Sequence, residues 1–285
     1  MSESARILLR DALFRRLDNP ARGWLESQIS LLATDHGEPA LSIAFGLMPR
    51  RLGKGMLDLT PEEVAAAERS IAGWTTADWS LADAGRVLLL SGLPGRNPDF
   101  APRFRSLCQT ADVAEAISLY RGLPLYPDPA SLEPQVGEGL RTNMRSVFEA
   151  IAHHNPYPMR YFDTHRWNHM VLKALFIGSR LAPIQGLDER ANEELARIML
   201  DFSHERRAAG RPVPYEIWRC IGPFARGNAL KDLERVLTTG TTVERQAATL
   251  ALMASHDPAA TDLLNRVPEI TKEISAGRLG WAVLQ

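Results

Sequence analysis

The sequence predicts an all-α protein. Apolar residues recur near 3.6-residue spacing along most of the chain, helix-capping signals punctuate it, and alternating strand patterns bounded by tight turn pairs are absent. Ile7, Leu8, Ala12, Leu13 and Leu17 form the first such stripe, and Asp18-Asn19-Pro20 breaks it. Pro20 opens a second run through Trp24, Ile29 and Leu32. Thr60-Pro61-Glu62-Glu63 reads as a capping box with proline at the first helical position, and Thr241-Thr242-Val243-Glu244 repeats the box. Val87–Leu90 is the best strand candidate, but Ser80-Leu81-Ala82-Asp83 upstream makes it the later portion of a helix. Gly178 and Gly210 stand where a left-handed residue closes a helix, and Asp257-Pro258 starts another.

Residues 122–137, GLPLYPDPASLEPQVG, hold four prolines and cannot form one continuous helix. The chain is read as one all-α unit spanning residues 1–285. Within it, this proline-rich connector separates an N-terminal helical segment, residues 1–121, from a C-terminal one, residues 138–285. Toward the end, Ala229–Leu237, Val243–Ser255 and Ala259–Val267 are short apolar helices with small turns between them. They predict stacked units with the character of a HEAT-like α-solenoid.

Composition excludes several classes. Thirty-three basic and 34 acidic side chains leave a formal charge of −1, without the basic excess of a nucleic-acid binder. No stretch approaches the roughly 18–20 apolar residues of a membrane span, and charged residues interrupt the first twenty positions. Cys108 and Cys220 lack any ligand or CxxC spacing, which suits a reducing cytoplasm. Only four of the basic residues are lysines, so Lys173, set in an apolar helix, stands out.

Polar specialists cluster. Five of seven histidines lie between 153 and 204, and four of eight asparagines between 143 and 192. Such side chains disfavour helix interiors and cost energy when buried without partners, so their concentration in apolar helical segments predicts a shared polar pocket. In a helix drawn over 138–153, with Leu140, Met144, Val147, Phe148 and Ile151 as its stripe, Arg141, Arg145 and Glu149 follow at i, i+4, i+8. They form either a solvated ion-pair face or two guanidinium groups converging on an anion.

His153-His154-Asn155-Pro156-Tyr157-Pro158 is a proline-braced corner that holds Asn155 and Tyr157 in place. In the next helix His165, His169 and Lys173 form a narrow stripe, with Asn168 outside it among apolar neighbours. The two histidines have the spacing of helical metal ligands, but no carboxylate follows, and no metal or cofactor is expected. Asp188 is a natural N-cap for a long helix to Ala209 carrying Arg190, Asn192 and His204. Arg50-Arg51-Leu52-Gly53-Lys54-Gly55 lacks the Walker A spacing, and serine-hydrolase, Rossmann and zincin signatures are missing.

The strings Arg141-Thr142-Asn143-Met144-Arg145, His154-Asn155-Pro156-Tyr157-Pro158, Trp167-Asn168, Lys173 through Gly178, Pro183 through Asp188, Arg190-Ala191-Asn192 and His204-Glu205-Arg206 stand out together. In them the chain resembles the EboA family of bacterial metabolite-traffic proteins. The likeness is densest over 138–260, and Gly46 through Arg51 and Tyr120 through Pro124 still fit. The resemblance implies a role in making or moving a secondary metabolite. It implies neighbours encoded alongside: a UbiA-like prenyltransferase, a TatD-like hydrolase, a dehydroquinate-synthase-like protein, a sugar-isomerase-like barrel and a phosphodiesterase-like protein. It carries no catalytic residues.

The expectation is therefore a cytoplasmic component that binds a small polar, anionic metabolite. The expected lining is Arg141, Asn143, Arg145, His154, Asn155, Tyr157, Asn168, Lys173, Arg190, Asn192 and His204. Two alternatives stand beside it. One is an enzyme with His154 or His204 as general base and Lys173 as electrophile or Schiff-base amine. The other is an adaptor whose helices dock other proteins of the same operon, its polar groups serving only the fold.

Overall fold

In the computed structural model, residues 3–33, 37–93 and 100–284 are described, and they are all-helical, with no strand among them. They divide into two compact units, Met1–Arg166 and Trp167–Gln285.

The first unit is ordered around one buried helix. It contains α1 (Glu3–Arg16), α2 (Asn19–Ala33), α3 (Gly37–Leu52), α4 (Pro61–Ser70), α5 (Leu81–Ser91), α6 (Phe100–Thr110) and α7 (Val113–Arg121). After them come α8 (Glu133–Gly139), α9 (Arg145–Ala152), α10 (Tyr157–Tyr161) and the first turn of α11 (Thr164–Phe176). Every residue of α5 is buried, and α1, α2, α3 and α7 pack against it. A helix hydrophobic on all sides belongs in the middle of its domain. Gly85 permits the α3–α5 contact, because a Cβ there would run into Leu52 and Met48.

Burying all of α5 means burying two charges, and these are compensated on the spot. Asp83 accepts from the Ser118 hydroxyl at 2.6 Å, from Ser80 N and Oγ at 2.9 and 2.8 Å, and from Arg121 Nη1 at 3.1 Å. Arg86 donates to the Phe45 carbonyl at 3.1 Å and to Ser118 Oγ at 3.3 Å, with Glu115 3.8 Å away. Buried ions survive only with such partners.

The capping boxes at Thr60 and Ser80 form with both reciprocal bonds. In the proline-rich segment, short 3-10 turns at Leu123–Leu125 and Pro129–Leu132 precede α8, so no continuous helix crosses it. A helix over 138–153 does not form. Two glycines weaken the end of α8, a turn follows in which Thr142 Oγ1 accepts from Met144 N at 3.1 Å, and α9 starts only at Arg145. Met144, expected in the stripe, is therefore exposed, whereas Val147, Phe148 and Ile151 are buried.

The second unit holds the rest of α11, then α12 (Glu193–Ala208), α13 (Ile217–Ile221), α14 (Asn228–Thr239), α15 (Thr242–Ala254), α16 (Ala259–Leu264) and α17 (Pro268–Ser275). Helix α15 touches α13, α14, α16 and α17, and α12 packs on α13. The capping box at Thr241 is complete, and Gly178 and Gly210 take the left-handed conformation expected of helix C-termini, at φ +71° and +65°. Asp188 does not cap α12. Its carboxylate is drawn into a two-pronged pair with Arg219, both contacts 2.7 Å, and Asn192 takes the cap, accepting from Leu195 N at 2.9 Å.

Candidate functional site

The first unit contains an open-mouthed cavity of about 190 Å³. Three chain segments build it: the loop Thr75–Trp79, the end of α7 with Ile117 and Arg121, and α9 with the corner His153–Asn155.

Each segment is fixed for a visible reason. Leu57 N donates to the Trp79 carbonyl at 2.9 Å and Leu81 N to the Gly55 carbonyl at 2.8 Å, which anchors the loop to the segment before α4. Arg121 Nη1 donates to the Asp78 carbonyl at 2.8 Å, so the residue that neutralises Asp83 also ties this loop to α7. Asn155 is buried, and its amide donates to the carbonyls of Tyr120 and Ala150 at 3.0 and 3.1 Å. Its Oδ1 accepts from Tyr157 N at 3.0 Å. These bonds stop α9 and pin the corner to α7. His154, just beyond α9, is held at φ +51°, a left-handed conformation that costs a residue with a Cβ about 1–2 kcal/mol.

The lining carries mixed charge. Arg121 is balanced by Asp83, and Glu149 is balanced by Arg145 Nε at 2.6 Å. The Asp78 side chain is exposed and makes no ion pair among the described residues. The imidazoles of His153 and His154 meet edge to face at 6.4 Å. Trp79 and Ile117 supply apolar wall.

The structure distributes the eleven expected residues among several places. His154 and Asn155 line the cavity, and Arg145 contributes through its partner Glu149. Arg141 lies in the exposed turn beside Glu138 at 3.4 Å, and Asn143 is exposed in the same turn. Tyr157 is buried, its hydroxyl donating to the Pro129 carbonyl at 2.7 Å.

The remaining five belong to the second unit. Asn168, buried, and Asn192 exchange two amide bonds of 3.1 and 3.0 Å, and the Arg190 guanidinium lies 4.7 Å over the Trp167 ring. Lys173 is half-buried, and that burial lowers its amine below the ordinary lysine value. His204 Nε2 sits 2.5 Å from Asp232, which also receives Arg207 Nη1 at 3.0 Å and Arg235. Burial pushes the Asp232 carboxyl upward, but the His204 hydrogen bond and the cations Arg207, His204 and Arg235 outweigh it, so its pKa ends below the usual value.

His165 and His169 are exposed on α11, and no group of three or more metal-ligating side chains occurs among the described residues. Both cysteines are free thiols that burial pushes up to about 12.

Asp78, Arg121, Glu149 and His153 line the cavity although none of them was expected in the lining. Arg121 had a signal in the string Tyr120-Arg121-Gly122-Leu123-Pro124, and Glu149 in its spacing from Arg145. Asp78 had none, because a carboxylate in a polar loop looks like any solvated one.

Residues 5–222 match the family model described as metabolite traffic protein EboA, a stretch that holds the whole cavity and stops short of α14. The chain belongs to the EboA family. No curated protein and no solved structure matches it. No described helix is long and apolar enough to cross a membrane.

Proposed function

We propose that this EboA-family chain acts in metabolite traffic by binding one small polar metabolite in the cavity between the 75–79 loop, α7 and α9. The observation that carries the reading is convergence. Asp78, Arg121, Glu149, His153 and His154, from three separate segments, face one cavity inside the stretch that matches the family. Concave sites with a few placed polar groups on an apolar wall are the usual form of small-molecule sites.

An anionic ligand, the expectation from the arginine-rich sequence, would rely on Arg121, since Arg141 and Arg145 do not line the cavity and have their own carboxylate partners. The free thiols fit a cytoplasmic setting. Helices α14–α17, which pack on one another through α15, fit a HEAT-like array that docks other proteins of the pathway.

The test is native mass spectrometry of the full chain after incubation with a small-molecule extract of the producing cells. A single adduct is expected for the wild type. It should be lost in Ala77→Trp, which fills the cavity from an exposed position. An adduct that survives in Ala77→Trp, or none in the wild type, rejects the reading.

The enzyme reading has one supporting observation: His154 occupies a strained conformation at the cavity. Recovery of the bound compound chemically unchanged after prolonged incubation excludes it, and conversion that disappears in His154→Gln supports it.

A further inference from the structure

The charge and size of the cavity point to a narrower ligand class. Resting on the reading above, we infer that the ligand is a single-ring molecule bearing hydroxyl or ammonium hydrogen-bond donors and no net negative charge.

Size comes first. A cavity of roughly 150 Å³ already accepts a benzene-sized guest. At about 190 Å³ with an open mouth, this one holds a six-membered ring with its substituents reaching toward solvent. Trp79 and Ile117 offer the apolar wall against which the C–H face of such a ring can lie.

Charge comes second. The two cation–carboxylate pairs at the lining, Arg121 with Asp83 and Glu149 with Arg145, cancel internally. Asp78 remains as an exposed carboxylate with no ion-pair partner among the described residues, so the lining has a surplus negative charge. An anion entering here would face that charge, and Arg121 Nη1 already donates to Asp83 and to the Asp78 carbonyl.

Hydrogen-bonding capacity comes third. Ionised carboxylates only accept, and the Asn155 amide has spent both donors on backbone carbonyls. The Asp78 carboxylate is therefore satisfied by a guest that donates. The His154 imidazole can take either role and adds specificity for hydroxyl direction.

Three probes on one ring separate the possibilities: glucosamine, glucose and glucose 6-phosphate, titrated calorimetrically into the full chain at low salt. Glucosamine should bind about tenfold tighter than glucose, the ratio expected of one charge contact at a partly solvated site, and glucose 6-phosphate more weakly than either. Asp78→Asn, which keeps the shape and removes the charge, should bring the three to within about twofold.

Tightest binding of the phosphate, an unchanged ranking in Asp78→Asn, or no binding of any probe overturns the inference. If the extract adduct is nevertheless lost in Ala77→Trp, the cavity remains the metabolite site and only the ligand class fails. If that adduct is absent too, both fall.

Discussion

Asn168 and Asn192 face each other amide to amide, each donating to the other at 3.1 and 3.0 Å. Asn192 Oδ1 also caps α12 through Leu195 N. A buried amide inside an apolar helix thus finds its partner in the cap of the next helix, and the pair links α11 to the start of α12. Asn168→Ala leaves the Asn192 amide short of a partner and should cost about 1–3 kcal/mol. Asn192→Ala loses the pair and the cap together and should cost more, by a further ~1 kcal/mol. Urea melts of the two variants and the double variant should show coupling of at least about 0.5 kcal/mol. Additive losses would mean that the two amides act independently.

Tyr126 makes a second, opposite kind of prediction. Its ring packs with Phe100 and Phe104 at centroid distances of 5.6 and 5.7 Å, and its buried hydroxyl has no partner among the described residues. Burial raises the phenol far above its ordinary pKa. Removing an unsatisfied buried hydroxyl is neutral or stabilising, so Tyr126→Phe should hold or raise the midpoint of thermal unfolding. Gly122 lies against the same ring, where a Cβ would overlap it, and Gly122→Ala should lose about 1–3 kcal/mol. A clear loss in Tyr126→Phe would show that the hydroxyl is bonded after all.

The way these groups divide explains what could be read from the sequence. Helices were legible wherever a local rule decided them. The capping boxes at Thr60, Ser80 and Thr241 and the left-handed Gly178 and Gly210 act within one turn of chain. Asp188 was not legible as an Arg219 partner, because that contact spans 31 residues and local capping rules carry no information about it. Buried amides do need partners, as their residue type implies, yet Asn155 and Asn168 spend theirs on backbone and on another amide. The cavity wall was the least legible region. Asp78 and Arg121 meet through a backbone carbonyl, and a carbonyl leaves no mark in residue identity.

Asp232 should make stability depend on pH at the acid end. Its carboxyl is mostly buried and sits among His204, Arg207 and Arg235, and its folded pKa lies below the unfolded carboxyl value near 3.9. A depressed folded pKa contributes stability that is fully present above the unfolded value and lost as pH falls through the folded one. Asp232→Asn should therefore flatten the decline in stability below about pH 4. At neutral pH it should cost roughly 1–2 kcal/mol, a figure reduced because Arg207 and Arg235 are themselves about a third or more exposed. Urea midpoints of wild type and variant from pH 7 to pH 3 supply the comparison. Parallel curves would remove Asp232 from the acid dependence.

His154 links stability to binding. Its backbone is left-handed at φ +51°, where glycine is at ease and a residue with a Cβ is strained, and its side chain lines the cavity. Histidine tolerates this region better than most residues, so the strain is at the lower end, about 1 kcal/mol. Strain of this kind persists where the side chain is worth its position, and the two effects can be separated. His154→Gly should raise the unfolding midpoint by a few degrees, about the shift that ~1 kcal/mol gives a domain of this size. The same variant should weaken the adduct formed with the cell extract. His154→Ala keeps the strain and loses the ring, so it should weaken the adduct without the gain in stability. A His154→Gly protein that is stabilised and binds as well as wild type would reduce His154 to a helix terminus.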